Sequence, residues 1–395
     1  MRSNTNKSLI RTFAFHVATM VFSLASSWTT MLAHGLSSQP GNPSFVSGGT
    51  DLEPQDLPEF LYPYHSKSLE MTDSAFSDPS LVCTRAVTYG PMEHQLLDVW
   101  APSNENKPDG NDRVIVVFLH GGGWDWGYRE YVGFCARVLC NDSNSIMVAP
   151  SYALGKGTSK AWPQSRDDIV EVLRWITEEH NDFIQSHGGD PRRIVLAGHS
   201  AGGHLAACVG LDAELLSSAG IDPSVVKALF LISCPLGIRA EDFFGSLAKR
   251  RWLWRTVAGP LARFLYKRVI VKVLRPVVGS ARTKDNVGVV TTQESIRRDA
   301  EDASPLGWLS ERSRSRDEDK SLSSSSSSPL VHYSYATQKD FAICRPHSKS
   351  LASILGKDLV QVLELPVEGH FESHFALADP NSEWHDVFRK TVSAI

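Results

Sequence analysis

The sequence predicts an α/β fold, a mostly parallel central sheet flanked by helices, on three observations. Short apolar runs alternate with amphipathic stretches along most of the 395 residues. A glycine-boxed serine, Gly198-His199-Ser200-Ala201-Gly202, joins the β-branched run Ile194–Ala197 to the alanine-rich stretch Ala201–Leu211. A glycine triplet, His120-Gly121-Gly122-Gly123-Trp124, follows directly on another buried run, Val114–Leu119.

In chain order, Thr84–Tyr89 and Leu96–Trp100 read as an opening strand pair, and Val114–Leu119 and Ile146–Ala149 as buried strands. Arg166–His180 reads as a helix, because Ile169, Val172, Leu173 and Ile176 fall on one face. After the serine turn come strands at Ala228–Ile232, Val331–Tyr335 and Val360–Leu363, a helical stretch at Ser348–Leu355 and a last helix near Glu383–Val392.

The folded domain is expected over 81–395, with two segments ahead of it and two within it outside its rhythm. Residues 1–35 read as a targeting segment. The first 50 residues hold no Asp or Glu, begin with Arg2, Lys7 and Arg11, and run apolar through Phe13–Ala25, which suits a secretory signal peptide or uncleaved anchor. An organelle transit peptide suits the same composition, and a disordered cytosolic tail is the plain alternative. Residues 36–80, rich in Ser, Pro, Gly and Asp, read as a linker or loosely packed arm. Residues 238–300 read as a basic, cap-like helical insertion: Arg239–Arg282 carries eleven Lys or Arg against two acids, Glu241 and Asp242, with Trp252, Trp254, Phe264 and Tyr266 among them. Either it is a lid that touches an anionic membrane surface, or a solvated insertion whose aromatics pack on the body. Residues 311–328, ending in a serine run, read as a disordered surface loop.

A net charge of −4 argues against a nucleic-acid binder, and the six cysteines show no zinc-like paired spacing, so they read as free thiols or an occasional disulfide. Ser200 stands where a strand–turn–helix elbow would project a nucleophile, a helix N-cap serine being the bland alternative. The amides of Gly122 or Gly123 and of Ala201 would then face a developing oxyanion. A nucleophilic serine needs a base and a group to orient that base. Asp340, shortly after Val331–Tyr335, suits the acid, and His370, after Val360–Leu363, suits the base, with His374 as its rival. His120 is expected to order its loop, and His204 to sit on the helix surface. No H-E-x-x-H pattern occurs, and no paired third ligand accompanies His370 and His374, so no metal is expected.

These residues resemble the α/β-hydrolase superfamily, and within it the HGG-type esterases that include arylformamidase and prenylcysteine methylesterase. "YGPMEHQLLDVWAP", Tyr89–Pro102, is similar to their opening hairpin, "FLHGGGWDWG" to the oxyanion loop, "GGDPRRIVLAGHSAGGHLAA" to the elbow, "DAEDASPLGW", Asp299–Trp308, to the segment before the acid strand, and "GHFESHF" to the histidine loop. The resemblance implies hydrolysis of a carboxylic ester through an acyl-enzyme, or of a small formamide as in kynurenine formamidase, with no cofactor and a small-molecule substrate. Trp124 and His199 would border the acyl pocket. A lid-gated lipase rests on the basic block alone. A non-catalytic binding module on the same fold is the alternative from another class.

Overall fold

The computed structural model describes residues 62–103, 112–155, 159–178, 182–239, 242, 274–279, 284–285, 291–318 and 328–395. The proposed targeting segment, most of the basic block and residues 319–327 of the serine run lie outside the described residues.

Among the described residues ten strands are present: β1 (Leu81–Thr88), β2 (Leu96–Pro102), β3 (Arg113–Leu119), β4 (Ile146–Pro150), β5 (Ser159–Lys160), β6 (Gly189–His199), β7 (Val226–Ile232), β8 (Lys284–Asp285), β9 (Leu330–Ala336) and β10 (Val360–Leu365). Eight form one sheet in the order β1-β2-β4-β3-β6-β7-β9-β10, while β5 and β8 pair separately. The opening pair β1–β2 and the β2–β4 contact are antiparallel, and every later pairing in the large sheet is parallel.

The alternation of side chains along a strand explains why the central strands read as unbroken apolar runs. Ile115, Val117, Leu119, Ile194, Leu196, Leu229 and Leu231 point into one core, covered by the helices Gln164–Thr177 and Ala201–Gly210. Val114, Val116, Phe118, Val195, Ala197, Phe230 and Ile232 point into a second, closed by Trp384 and Phe388 of the helix Glu383–Ala394. A strand buried on both faces has no polar side to show. Ile169, Val172, Leu173 and Ile176 are fully buried, as their spacing predicts.

Two segments differ from expectation. Within 36–80, residues Tyr62–Phe76 form a helix that buries Tyr64, His65, Ser68, Thr72 and Ala75. It packs on the 3-10 helix Arg129–Cys135: Thr72 Oγ1 donates to the Glu130 carbonyl at 2.9 Å, and His65 Nδ1 lies 2.7 Å from the Tyr131 hydroxyl. Gly133 is required there, since a Cβ would stand 2.4 Å from Thr72 Cγ2. The buried face is made of Tyr, His, Ser and Thr, so no apolar stripe marks it. Within 311–328, residues up to Glu318 continue the helix Pro305–Glu318 rather than forming a loop. Arg312 bonds Asp212 at 3.0 Å and lies over the Trp308 ring, so its charges are spent on a helix face.

His120, His204 and His374 are fully buried, and burial pushes their pKa values down to about 4, about 4 and about 3. His204, expected on the helix surface, instead donates Nε2–H to the Ala303 carbonyl at 2.8 Å.

Tyr64 packs within 4.9–6.1 Å, ring to ring, of Phe371, His374, Tyr131, Phe375 and His199. Tyr64→Ala is expected to cost about 3 kcal/mol in urea unfolding; a change below about 1 kcal/mol would show that the helix contributes nothing to the fold. A second expectation concerns acid. The three histidines bind protons in the unfolded chain below pH about 6.5 and in the folded chain only near 3–4, so stability falls as pH drops through that window. Each loses on the order of 2 kcal/mol by pH 5. Asp125, raised to about 6 by burial against the pull of Arg275, works the other way by on the order of 1 kcal/mol, as do the raised carboxyls of Glu130 and Asp299. The melting temperature should therefore be lower at pH 5 than at pH 7.5 at fixed ionic strength, and equal values would refute buried neutral histidines.

Candidate active site

The elbow is built by close backbone approach. Ser200 follows β6 at φ 54° and ψ −117°, a left-handed backbone that a residue with a Cβ adopts only under constraint. A Cβ on Gly202 would stand 2.3 Å from the Leu119 carbonyl oxygen, and one on Gly198 would stand 2.5 Å from the Gly202 carbonyl carbon. Helix, β6 and the end of β3 therefore touch main chain to main chain. The Ser200 amide donates to the Ile232 carbonyl at 2.8 Å, which fixes the turn against β7.

The glycine loop lies against this elbow. A Cβ on Gly121 would fall 3.4 Å from Ser200 Cβ and 2.8 Å from His199 Nδ1. Gly122 sits at φ 129°, and its carbonyl accepts the amides of Asp125 and Trp126 at 3.2 and 3.0 Å. His120 orders the loop as expected: Nδ1–H donates to the Gly121 carbonyl at 2.8 Å and the ring stacks on Tyr152 at 4.3 Å. Among the described residues the amides of Gly122, Gly123 and Ala201 have no protein acceptor. Trp124, at φ 61°, is buried edge-on to His204 at 5.2 Å.

Asp340 and His370 stand in the loops after β9 and β10 and meet directly, His370 Nδ1 donating to Asp340 Oδ1 at 2.8 Å. The two loops are also joined through the main chain, Lys339 pairing with Gly369. Burial alone would raise the Asp340 pKa, but the hydrogen bond and charge of His370, the Ser233 hydroxyl and the Ala336 amide outweigh it and hold it below the usual carboxylate value. His374 lies apart from the acid, among the rings of Tyr64, Phe118, Phe134 and Phe375. The structure thus brings Asp340 to His370 and leaves the rival outside the pair.

His199, expected beside the acyl pocket, is buried between His370 and His374, with ring centroids 4.6 and 4.7 Å away. Its Nε2–H donates to the His370 carbonyl at 2.9 Å, tying the elbow to the histidine loop. Burial pushes its pKa well down, so the ring stays neutral. Sequence reasoning missed Ser233 and Ser373, which contact the pair. Ser233 directly follows β7, and the carboxyl end of a parallel strand next to the elbow is the signal that could have found it. Among the described residues no group of three His, Cys, Asp or Glu could hold a metal ion.

A family model described as the alpha/beta hydrolase fold matches residues 116–281. Carboxylesterase 20 of Arabidopsis thaliana is 34% identical over 168 residues, covering 40% of this chain and 50% of its own. The isoprenylcysteine alpha-carbonyl methylesterase of the same plant is 29% identical over 206 residues, covering 50% and 45%. The chain thus spans about half the length of these curated relatives. Among solved structures, a bacterial heroin esterase aligns at TM-score 0.53 and 18% identity over 92% of this chain and 96% of its own. An esterase from Pyrobaculum calidifontis aligns at TM-score 0.51 and 18% identity over 84% and 90%. Parallel strands running from β4 to β10, a serine on a sharp turn after the central β6 and these matches give the chain the α/β-hydrolase fold.

Proposed function

We propose that the protein is a serine hydrolase that cleaves a carboxylic ester through an acyl-enzyme on Ser200. The observation that carries this reading is the hydrogen-bonded Asp340–His370 pair, linked through His199 to the elbow on which Ser200 holds a strained backbone. Ser200 Oγ attacks the ester carbonyl while His370 Nε2 takes its proton. The amides of Ala201 and of Gly122 or Gly123 hold the oxyanion. His370 returns the proton to the departing alcohol, and water, activated by the same imidazole, then releases the acid. Asp340 keeps Nδ1 protonated and offsets the positive charge on the ring. The relatives' names, carboxylesterase and prenylcysteine methylesterase, support an ester over a formamide. A formamide runs through the same acyl-enzyme, so it is kept as a substrate to test.

The test is hydrolysis of p-nitrophenyl acetate and butyrate beside N-formylkynurenine, together with labelling by a fluorophosphonate. Wild type is expected to turn over the esters and to be labelled at Ser200. Ser200→Ala and His370→Ala should lose about a million-fold in kcat and Asp340→Asn about ten-thousand-fold. His374→Phe, which suits the aromatic surroundings of that ring, should keep at least about a tenth of the activity, in keeping with its position away from the acid. Activity lost in His374→Phe but retained in His370→Ala would reverse the assignment of the base. A folded wild type that neither hydrolyses nor labels would favour the binding-module reading.

A further inference from the structure

Both oxygens of Asp340 are in use. Oδ1 accepts from His370 Nδ1 at 2.8 Å and from the Phe341 amide at 2.7 Å, while Oδ2 accepts the Ala336 amide at 2.8 Å and the Ser233 hydroxyl at 2.5 Å. Ser233 Oγ is also 2.6 Å from Ser373 Oγ, and Ser373 Oγ donates to the His370 carbonyl at 2.7 Å. The contacts close a ring: imidazole, carboxylate, Ser233, Ser373, and back to the main chain that bears the imidazole. Ser233 gives its single proton to the carboxylate, and Ser373 shares its own between Ser233 and the carbonyl.

The residue in the middle of this ring is strained. Ser233 is fully buried at φ 48°, in the left-handed region where glycine sits at no steric cost and a residue with a Cβ does not. Glycine would fit that backbone better, so what holds a serine there is its hydroxyl. We propose that Ser233, backed by Ser373, is a positioning residue that holds the Asp340 carboxylate in line with His370 Nδ1 and makes acid and base one rigid unit. The inference rests on the reading of Asp340 and His370 as the acid and base of a serine hydrolase.

Other titratable groups surround the pair. Burial pushes the Cys234 and Cys344 thiols and the Tyr333 phenol up on the acid side, and the His199 and His374 imidazoles down on the base side. All stay neutral between pH about 5 and 9. Lys67 lies over the Phe375 ring and Glu372 beside Gly369, and neither residue is altered in the variants below. A change in the rate profile over that range therefore reports on the Asp340–His370 pair. Without the Ser233 donor the carboxylate bears its charge less shared and holds an imidazolium more tightly, so the acidic limb moves to higher pH.

The experiment compares Ser233→Gly, Ser233→Ala, Ser373→Ala and the double variant Ser233→Gly/Ser373→Ala in the full chain. It reads p-nitrophenyl butyrate kinetics against pH, melting temperature, and the downfield NMR signal of the His370 Nδ1 proton, assigned by its loss in His370→Ala. Ser233→Gly should melt no lower than Ser233→Ala, because it relieves the strained backbone. Both should lose about tenfold in kcat at unchanged KM, with the acidic limb raised and the proton signal shifted or broadened. Ser373→Ala should lose less, and the double variant no more than Ser233→Gly, since Ser373 acts through Ser233. Unchanged kcat, acidic limb and proton signal in both Ser233 variants would overturn the proposal. A wild type without esterase activity would count against the hydrolase reading, and the proton signal would still decide whether Ser233 positions the pair.

Discussion

The left-handed backbone of Ser200 is the constraint on which the rest of the site depends. A conformation of that kind costs on the order of 1–3 kcal/mol and persists only where its surroundings over-determine it. Here the surroundings are main chain: the end of β3 against Gly202, Gly198 against the first turn of the helix, and the Ile232 carbonyl on the Ser200 amide. None of these contacts can relax by changing a rotamer. The same device recurs nearby. Of the five described non-glycine residues at positive φ, Trp124, Ser200 and Ser233 stand at or just beyond the carboxyl ends of β3, β6 and β7, three adjacent strands of one sheet. Among the described residues these three stand where a parallel sheet presents its loops, and each of the three touches or borders the candidate site.

Electrostatics follow from the same close packing. A site sealed this tightly disfavours charge, and the buried imidazoles of His120, His199, His204 and His374 accordingly lie below their ordinary pKa. Asp340 escapes this because four N–H and O–H donors, with the Cys344 thiol as a fifth and longer contact, converge on its two oxygens. A carboxylate that stays ionised in such surroundings can support an imidazolium, whereas a neutral one could not. His374, only four residues from His370, has aromatic neighbours in place of that carboxylate, so similar sequence surroundings lead to different chemistry.

What could be read in the sequence were the features whose causes are local. β3, β6 and β7 declare themselves as short apolar runs because both their faces are buried, and the elbow and glycine loop because close approach excludes side chains. Asp340 and His370 were legible by position alone, as polar residues in loops after late strands. The contacts that hold them were not. His199 reaches a carbonyl 171 residues away, Ser233 a carboxylate 107 away and Ser373 a hydroxyl 140 away, and no spacing in the chain marks such pairs. The Tyr62–Phe76 helix escaped for a different reason: its buried face is polar and aromatic, so hydropathy shows no stripe, and its partners come from two distant loops.

The histidine loop and the segment beside the glycine loop are held by unlike contacts. The histidine loop is fixed from three directions, by main-chain pairing with the acid loop, by the His199 hydrogen bond from the elbow and by the Tyr64 ring of the arm helix. All three are short-range and insensitive to salt. The described parts of the 238–300 segment bury Leu274, Val277 and Val278 in the core and add two ion pairs: Arg275 to Asp125, next to Trp124, at 2.6 Å, and Lys160 to Asp299 at 2.6 Å. Lys160 and Asp299 are nearly buried, so removing one partner would leave an uncompensated charge, while Arg275 is a quarter exposed and its bond is correspondingly screened. Of the two ion pairs, the one at Lys160 is therefore the firmer and the one beside the glycine loop the more screened. The histidine loop thus keeps its place by contacts that salt does not screen, while the Arg275–Asp125 contact beside the glycine loop weakens as salt rises.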